Sequence, residues 1–147
     1  MNWYVAKQFV MDVIQGLKVS KHQTRIGVIS YSTMVRSDIL LGEYFTVEPD
    51  MLPEIWQMPY MAGVTNTADG ILEMHRMFLS RRRPYVQQIG ILLTDGLSNI
   101  NHNDTVKNAA AAKADDIEIF SIGKSTTVLS HRNMYCNYRY NKTCLIG

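Results

Sequence analysis

The sequence predicts an α/β fold: a doubly wound, mostly parallel sheet with helices on both faces and one antiparallel edge strand. Two observations carry this. The first is the stretch QIGILLTDGLS at residues 88–98. Its short apolar run, Ile89-Gly90-Ile91-Leu92-Leu93, closed by a turn residue, reads as a strand buried on both faces. The second is that helical and strand patterns alternate after a single hairpin, and strands joined through helices run parallel. Asp95 stands just past the carboxyl end of the buried strand, and Gly96 allows a sharp turn there. The crevice outside the carboxyl ends of such strands is where open α/β sheets bind ligands, so Asp95 is a candidate site residue. Its plainer role would be to start a turn.

From the amino end, Val5, Phe9, Val13 and Leu17 recur every four residues, and Val10 and Ile14 widen the stripe. Lys7, Gln8, Asp12 and Gln15 lie off it, which predicts an amphipathic helix with one side on the core. Residues 24–32, TRIGVISYS, read as a strand. Residues 34–41, MVRSDILL, read as a second, with Val35 and Ser37 alternating against Arg36 and Asp38 as on an edge strand. So few residues separate the two that an antiparallel hairpin is expected. Residues 50–60 form a short helix, with Asp50 as N-cap, Pro53 in its first turn and Pro59 ending it.

The polar loop Gly63-Val64-Thr65-Asn66-Thr67 leads into a helix from Ala68 to about Arg82. Its apolar face carries Ala68, Ile71, Leu72, His75, Phe78 and Leu79, which makes His75 a half-buried, hydrogen-bonded histidine rather than a ligand. Pro84 breaks the helix. Asn103 or Asp104 would cap a further helix over 105–114, whose alanines at 109–112 suit close packing on a sheet. Residues 117–122, IEIFSI, read as another buried strand. Residues 124–147 are rich in tyrosine and asparagine, show no period and remain unassigned, so the expected division is a domain at 1–123 and a tail at 124–147.

Composition removes several classes of function. A chain of 147 residues with 46% hydrophobic residues is about one packed domain. A net charge of +2 demands neither nucleic acid nor an anionic membrane. Arg81-Arg82-Arg83 is a solvated helix end that complements the macrodipole. No run of 18 apolar residues occurs, so no membrane insertion is expected, and the amphipathic start is not a signal peptide. Gly123-Lys124-Ser125 resembles the end of a phosphate-binding loop, but Glu118 stands where that loop needs glycine. Asp115-Asp116 reads as a solvated turn, Asp116 tolerating the left-handed conformation common at a helix end. No Ser-His-Asp arrangement emerges, and no enzyme is expected. Cys136 and Cys144 are the only cysteines; a disulfide between them is the expectation in an oxidising compartment, against two unpaired thiols. Asn103 and Asn141 open glycosylation triplets, which point to secretion.

Taken together, GVTNTADGI, a helix, GILLTDG and IEIFSIG, preceded by the TRIGVISYST strand and the amphipathic first helix, resemble a von Willebrand factor type A domain. The likeness is to the domains of matrilins, collagen VI and integrin inserted domains, and spans roughly residues 2–123. It implies a metal-ion-dependent adhesion site at the carboxyl end of the sheet, built from an Asp-x-Ser-x-Ser motif, a threonine and an aspartate on three loops. Thr65 matches the threonine and Asp95 the aspartate. Hydroxyls and carboxylates are hard oxygen ligands suited to Mg²⁺ or Mn²⁺, with one position open for a partner's carboxylate. The family's first strand, central in its sheet, and its Asp-x-Ser-x-Ser motif have no counterpart here, nor does the strand and helix expected after Gly123. The chain is therefore read as amino-terminally truncated, with metal binding weak or absent, and with its remaining central strands either pairing directly across the gap or left with open edges. The resemblance implies an extracellular, secreted adhesion module binding matrix proteins, among them collagen. The alternatives are an intracellular domain of an assembly complex and a structural domain without metal.

Overall fold

The structure, a computed structural model, describes residues 2–94, 98–123 and 143–146. The first element is helix α1, Trp3–Gln15, whose start is capped by the side chain of Asn2 accepting from the Tyr4 amide. Strands β1, Val28–Tyr31, and β2, Val35–Ile39, form the expected antiparallel hairpin. A wide helical turn, Val47–Met51, runs into α2, Leu52–Gln57. Helix α3, Thr67–Arg81, strand β3, Gln88–Thr94, helix α4, His102–Ala114, and strand β4, Ile117–Gly123, follow in the predicted alternation.

The sheet has five strands in the order β2-β1-β5-β3-β4, where β5 is Thr143–Ile146. β1, β5, β3 and β4 run parallel and β2 antiparallel at one edge. Four residues from the stretch that the sequence leaves unassigned thus take the central position. β5 pairs Val28 with Cys144 and Ser30 with Ile146 on one side, and Gly90 with Thr143 and Leu93 with Ile146 on the other. The expectation that β1 and β3 would pair directly or keep open edges is overturned, because backbone groups in a buried sheet must find partners and β5 supplies them.

The two faces carry separate cores. α1 and α2 cover one, with Val10, Ile14, Met51 and Ile55 against Ile26, Val28, Ile89, Ile91 and Leu93. α3 and α4 cover the other, with Ile71, Met74, Phe78 and Ala112 against Ile29, Tyr31, Leu92 and Ile117. The alternation along β3 sends Ile89, Ile91 and Leu93 to α1 and leaves Gly90 and Leu92 for α3. At Gly90 an added Cβ would stand 2.2 Å from the Met74 sulfur, so this glycine lets α3 approach the sheet closely.

Several local expectations are corrected. Lys7, placed off the apolar stripe, is buried, whereas Val5 on the stripe and Leu79 on α3 are exposed. The buried side of α1 is set by Ala6, Lys7, Val10, Met11 and Ile14. Asp50 does not cap α2: it lies within the wide turn, bonded to Thr46. Neither Asn103 nor Asp104 caps α4; Asn101, in the left-handed region at φ 53°, occupies that position and both fall inside the helix. Asp116 is left-handed at φ 61°, as expected of an aspartate at a helix end. His75 is half-buried with Nε2 2.7 Å from an Asp115 carboxylate oxygen, so it is the hydrogen-bonded histidine foreseen.

Candidate functional site

The carboxyl ends of the four parallel strands define one end of the sheet, and Thr65 lies there. Its loop is tied to the end of β1. The Asn66 amide donates to the Ser32 carbonyl at 3.0 Å, and the Val64 amide to the Thr33 hydroxyl at 3.3 Å. Gly63 makes this possible: at φ 144° a Cβ would stand 2.3 Å from the Thr33 hydroxyl. On the other side the loop opens α3. Asn66 caps that helix by accepting from the Asp69 amide at 3.3 Å, and its own amide donates to the Asp69 carboxylate at 2.7 Å. The cap fixes where the helix begins and hence where Thr65 sits.

A second tie joins this loop to the segment after β3. The Asn99 amide donates to the Thr65 carbonyl at 2.9 Å, while the Ser98 hydroxyl donates to the Ile100 carbonyl at 2.7 Å and lies 3.4 Å from the Thr65 carbonyl. Asp95 itself lies outside the described residues, as do Cys136 and Asn141. Cys144 is in β5, paired across the backbone with Val28 and Ile91. Asn103 is exposed on the first turn of α4.

Beneath the loops, Tyr31 spans from β1 to β3. Its hydroxyl donates to the Leu93 carbonyl at 3.2 Å and is bonded by the Thr94 and Thr67 hydroxyls. Burial pushes its pKa up to about 12, and the threonine hydroxyls pull the other way. The folded state therefore holds the neutral phenol, while the unfolded chain ionises near pH 10. The stabilisation is present in full below pH 10 and is lost as pH rises towards 12, a fall of roughly 2–3 kcal/mol. Denaturant unfolding followed across that window should show the fall in the native protein and a smaller one in Tyr31→Phe. Parallel curves for the two would refute this role for the phenol.

A cavity of about 110 Å³ opens at the same end, lined by Ser30, Ser32, Gly63 and Thr65 on one side and by Trp3 and Tyr60 on the other. Its donors are hydroxyl and carbonyl oxygens, the right type for a hard cation. Among the described residues, however, no group of three or more His, Cys, Asp or Glu could hold a metal ion. Hydroxyls without a carboxylate bring no charge to offset a dication's lost hydration, so the described residues do not by themselves hold one. Ser32, Ser98 and Tyr31 were not singled out from the sequence, because a lone Ser or Tyr at a strand end carries no motif.

The family model for the von Willebrand factor type A domain matches residues 1–136. The chain belongs to that family. Matrilin-1 of Gallus gallus is 30% identical over 132 residues, a match covering 86% of this chain and 26% of that protein. The collagen alpha-1(XXI) chain of Xenopus laevis is 29% identical over 129 residues, covering 86% of this chain and 13% of the collagen. The transmembrane cell adhesion receptor mua-3 of Caenorhabditis elegans is 29% identical over 129 residues, covering 84% of this chain and 3% of the receptor. The chain thus spans about a quarter or less of these relatives. The crystal structure of the manganese-loaded TRAP protein of Plasmodium vivax matches with a TM-score of 0.72 at 17% identity, over 93% of this chain and 59% of that one. At that identity the likeness shows the fold. The von Willebrand factor type A fold read from the sequence is therefore present, and no described helix is long and apolar enough to cross a membrane.

Proposed function

We propose that this von Willebrand factor type A domain is a secreted, non-enzymatic module that binds extracellular matrix proteins, collagen among them, through a Mg²⁺ or Mn²⁺ ion held in part by Thr65 and Asp95. The observation that carries the reading is the tie between the two loops. Asp95 follows Thr94 directly, and four residues later the Asn99 amide donates to the Thr65 carbonyl at 2.9 Å. The described ends of the segment that carries Asp95 are thus held by β3 and by the Thr65 loop. The resemblance to matrilin-1, a collagen chain and an adhesion receptor supports the matrix partner. A cation with two protein ligands keeps most of its water, so binding is weak, and an open coordination position accepts a partner's carboxylate.

Solid-phase binding of the chain to purified collagen and to other extracellular matrix proteins tests this. Retention should be weak, should rise with millimolar Mg²⁺ or Mn²⁺, and should fall in EDTA. Retention unchanged by EDTA, or none at any cation concentration, would remove the cation-dependent reading.

A further inference from the structure

Lys7 is the most unusual charged residue among those described. It is only 4% exposed, yet the ion pairs formed among the described residues, Arg36–Asp38 and His75–Asp115, lie elsewhere. Its ammonium donates to the Trp56 carbonyl at 2.5 Å and reaches the Met58 carbonyl at 3.4 Å, the end of α2. Three aromatic rings surround it: Trp3 at 5.9 Å, Tyr4 at 5.3 Å and Trp56 at 5.1 Å from nitrogen to ring centroid. Carbonyls and ring faces offset part of the cost of burying the cation, but bring no negative charge. An ammonium has three donors, and these carbonyls engage two.

The surroundings form an open groove rather than a sealed core. A space of about 630 Å³ lies over Lys7 between the start of α1 and residues 56–60. Its rims are exposed aromatics, Tyr4 at 65%, Trp56 at 52% and Tyr60 at 69%. Tyr4 and Trp56 are tilted at 52° with centroids 6.1 Å apart, and Trp3 and Tyr60 at 58° with the same spacing, so the rings stand as walls and do not stack flat. Trp3 and Tyr60 also line the cavity beside Thr65, so the groove adjoins the proposed cation site.

We propose that this groove is a second, cation-independent anchor for a partner protein, taking an extended acidic peptide segment whose carboxylate meets Lys7 and whose flanking prolines lie on Tyr4 and Trp56. The chemistry selects this occupant. The aromatic cage already encloses the protein's own cation, so a ligand ammonium is excluded. The remaining N–H of a buried charge that no described carboxylate pairs calls for an anion, and a charge-assisted bond there is stronger than one in water. Extended proline-rich segments dock in aromatic-lined grooves because their backbone is already ordered.

The protein contains two tryptophans, Trp3 and Trp56, and both line the groove, so intrinsic fluorescence reports on it directly. The full chain is titrated in EDTA with acetyl-Pro-Pro-Glu-Pro-Pro-amide and with the same peptide carrying Gln for Glu. EDTA separates this anchor from the cation site, whose failure would leave the result unchanged. The Glu peptide should give a saturable change and bind at least about tenfold tighter than the Gln peptide. Lys7→Met should erase that preference, and Tyr4→Ala, at an exposed rim position, should weaken both peptides while unfolding stays cooperative. No saturable change in the native chain, or equal affinity for the two peptides, overturns the proposal. Should Lys7→Met fail to fold, the native Glu-to-Gln ratio together with Tyr4→Ala decides.

Discussion

A chain ended at residue 142 should lose cooperative unfolding. Among the described residues, β5 alone pairs with β1 and β3 on the edges that face each other. Removing it leaves those edges about 10 Å apart across an empty strand position. The amides and carbonyls of residues 28–30 and 90–93 then lie in the middle of the sheet without partners. Each buried unpaired group costs about 1–3 kcal/mol, and several together exceed the 5–15 kcal/mol that holds a typical domain. Differential scanning calorimetry of the full chain should show one sharp transition. The chain ended at residue 142 should instead give a broad one, bind a hydrophobic dye and aggregate through its open edges. A shortened chain melting cooperatively near the full-length temperature would show that the tail strand does not complete the sheet.

Placing Asp-Gly-Ser-Gly-Ser after Ile146, in place of Gly147, should tighten Mg²⁺ and Mn²⁺ binding by roughly a hundredfold or more, close to 3 kcal/mol. The register gives the reason. Ile146 is level with Ser30 of β1 and Leu93 of β3. Residues continuing from it leave the sheet beside Ser32, Thr65 and Thr94. They would bring a carboxylate and two hydroxyls to the end where the family resemblance requires its Asp-x-Ser-x-Ser motif. Mg²⁺ surrenders water reluctantly, so affinity depends on how many oxygens stand ready at once.

Most of the architecture is legible from sequence because it rests on periodicity. Ile89 to Leu93, a short apolar run closed by a turn, reads as a buried strand, and the spacing of Ala68, Ile71, Leu72, His75 and Phe78 reads as a helix face. The polar loop over 63–67 reads as leading into that face, and the structure adds that its Asn66 caps the helix, which starts at Thr67. What escaped has particular physical causes. β5 is four residues long, too short for any period, and its place in the sheet comes from long-range pairing with β1 and β3. Lys7 was read as wet because hydropathy counts its charge, whereas its burial depends on Trp56, Met58 and two rings of α1 itself. The only local signal was Trp3 and Tyr4 standing four and three residues before it on one helix face. Asn101 caps α4 from the left-handed region, so a search for a side-chain cap pointed two residues too late. Thr65 was found through the family pattern alone; its tie to Ser98 and Asn99 is a contact between loops that no local spacing encodes.

The central claim, that Thr65 and Asp95 hold one divalent ion, is tested most directly by titration calorimetry with Mg²⁺ and Mn²⁺ on the native chain, the chain extended by Asp-Gly-Ser-Gly-Ser, and the extended chain carrying Asp95→Ala. The native chain should bind weakly at most and the extended chain far more tightly. Asp95→Ala should return the extended chain to the native level, since it removes the carboxylate proposed to share the ion with Thr65. Equal affinity in the native and extended chains, or no loss on Asp95→Ala, would contradict the account and place the site elsewhere.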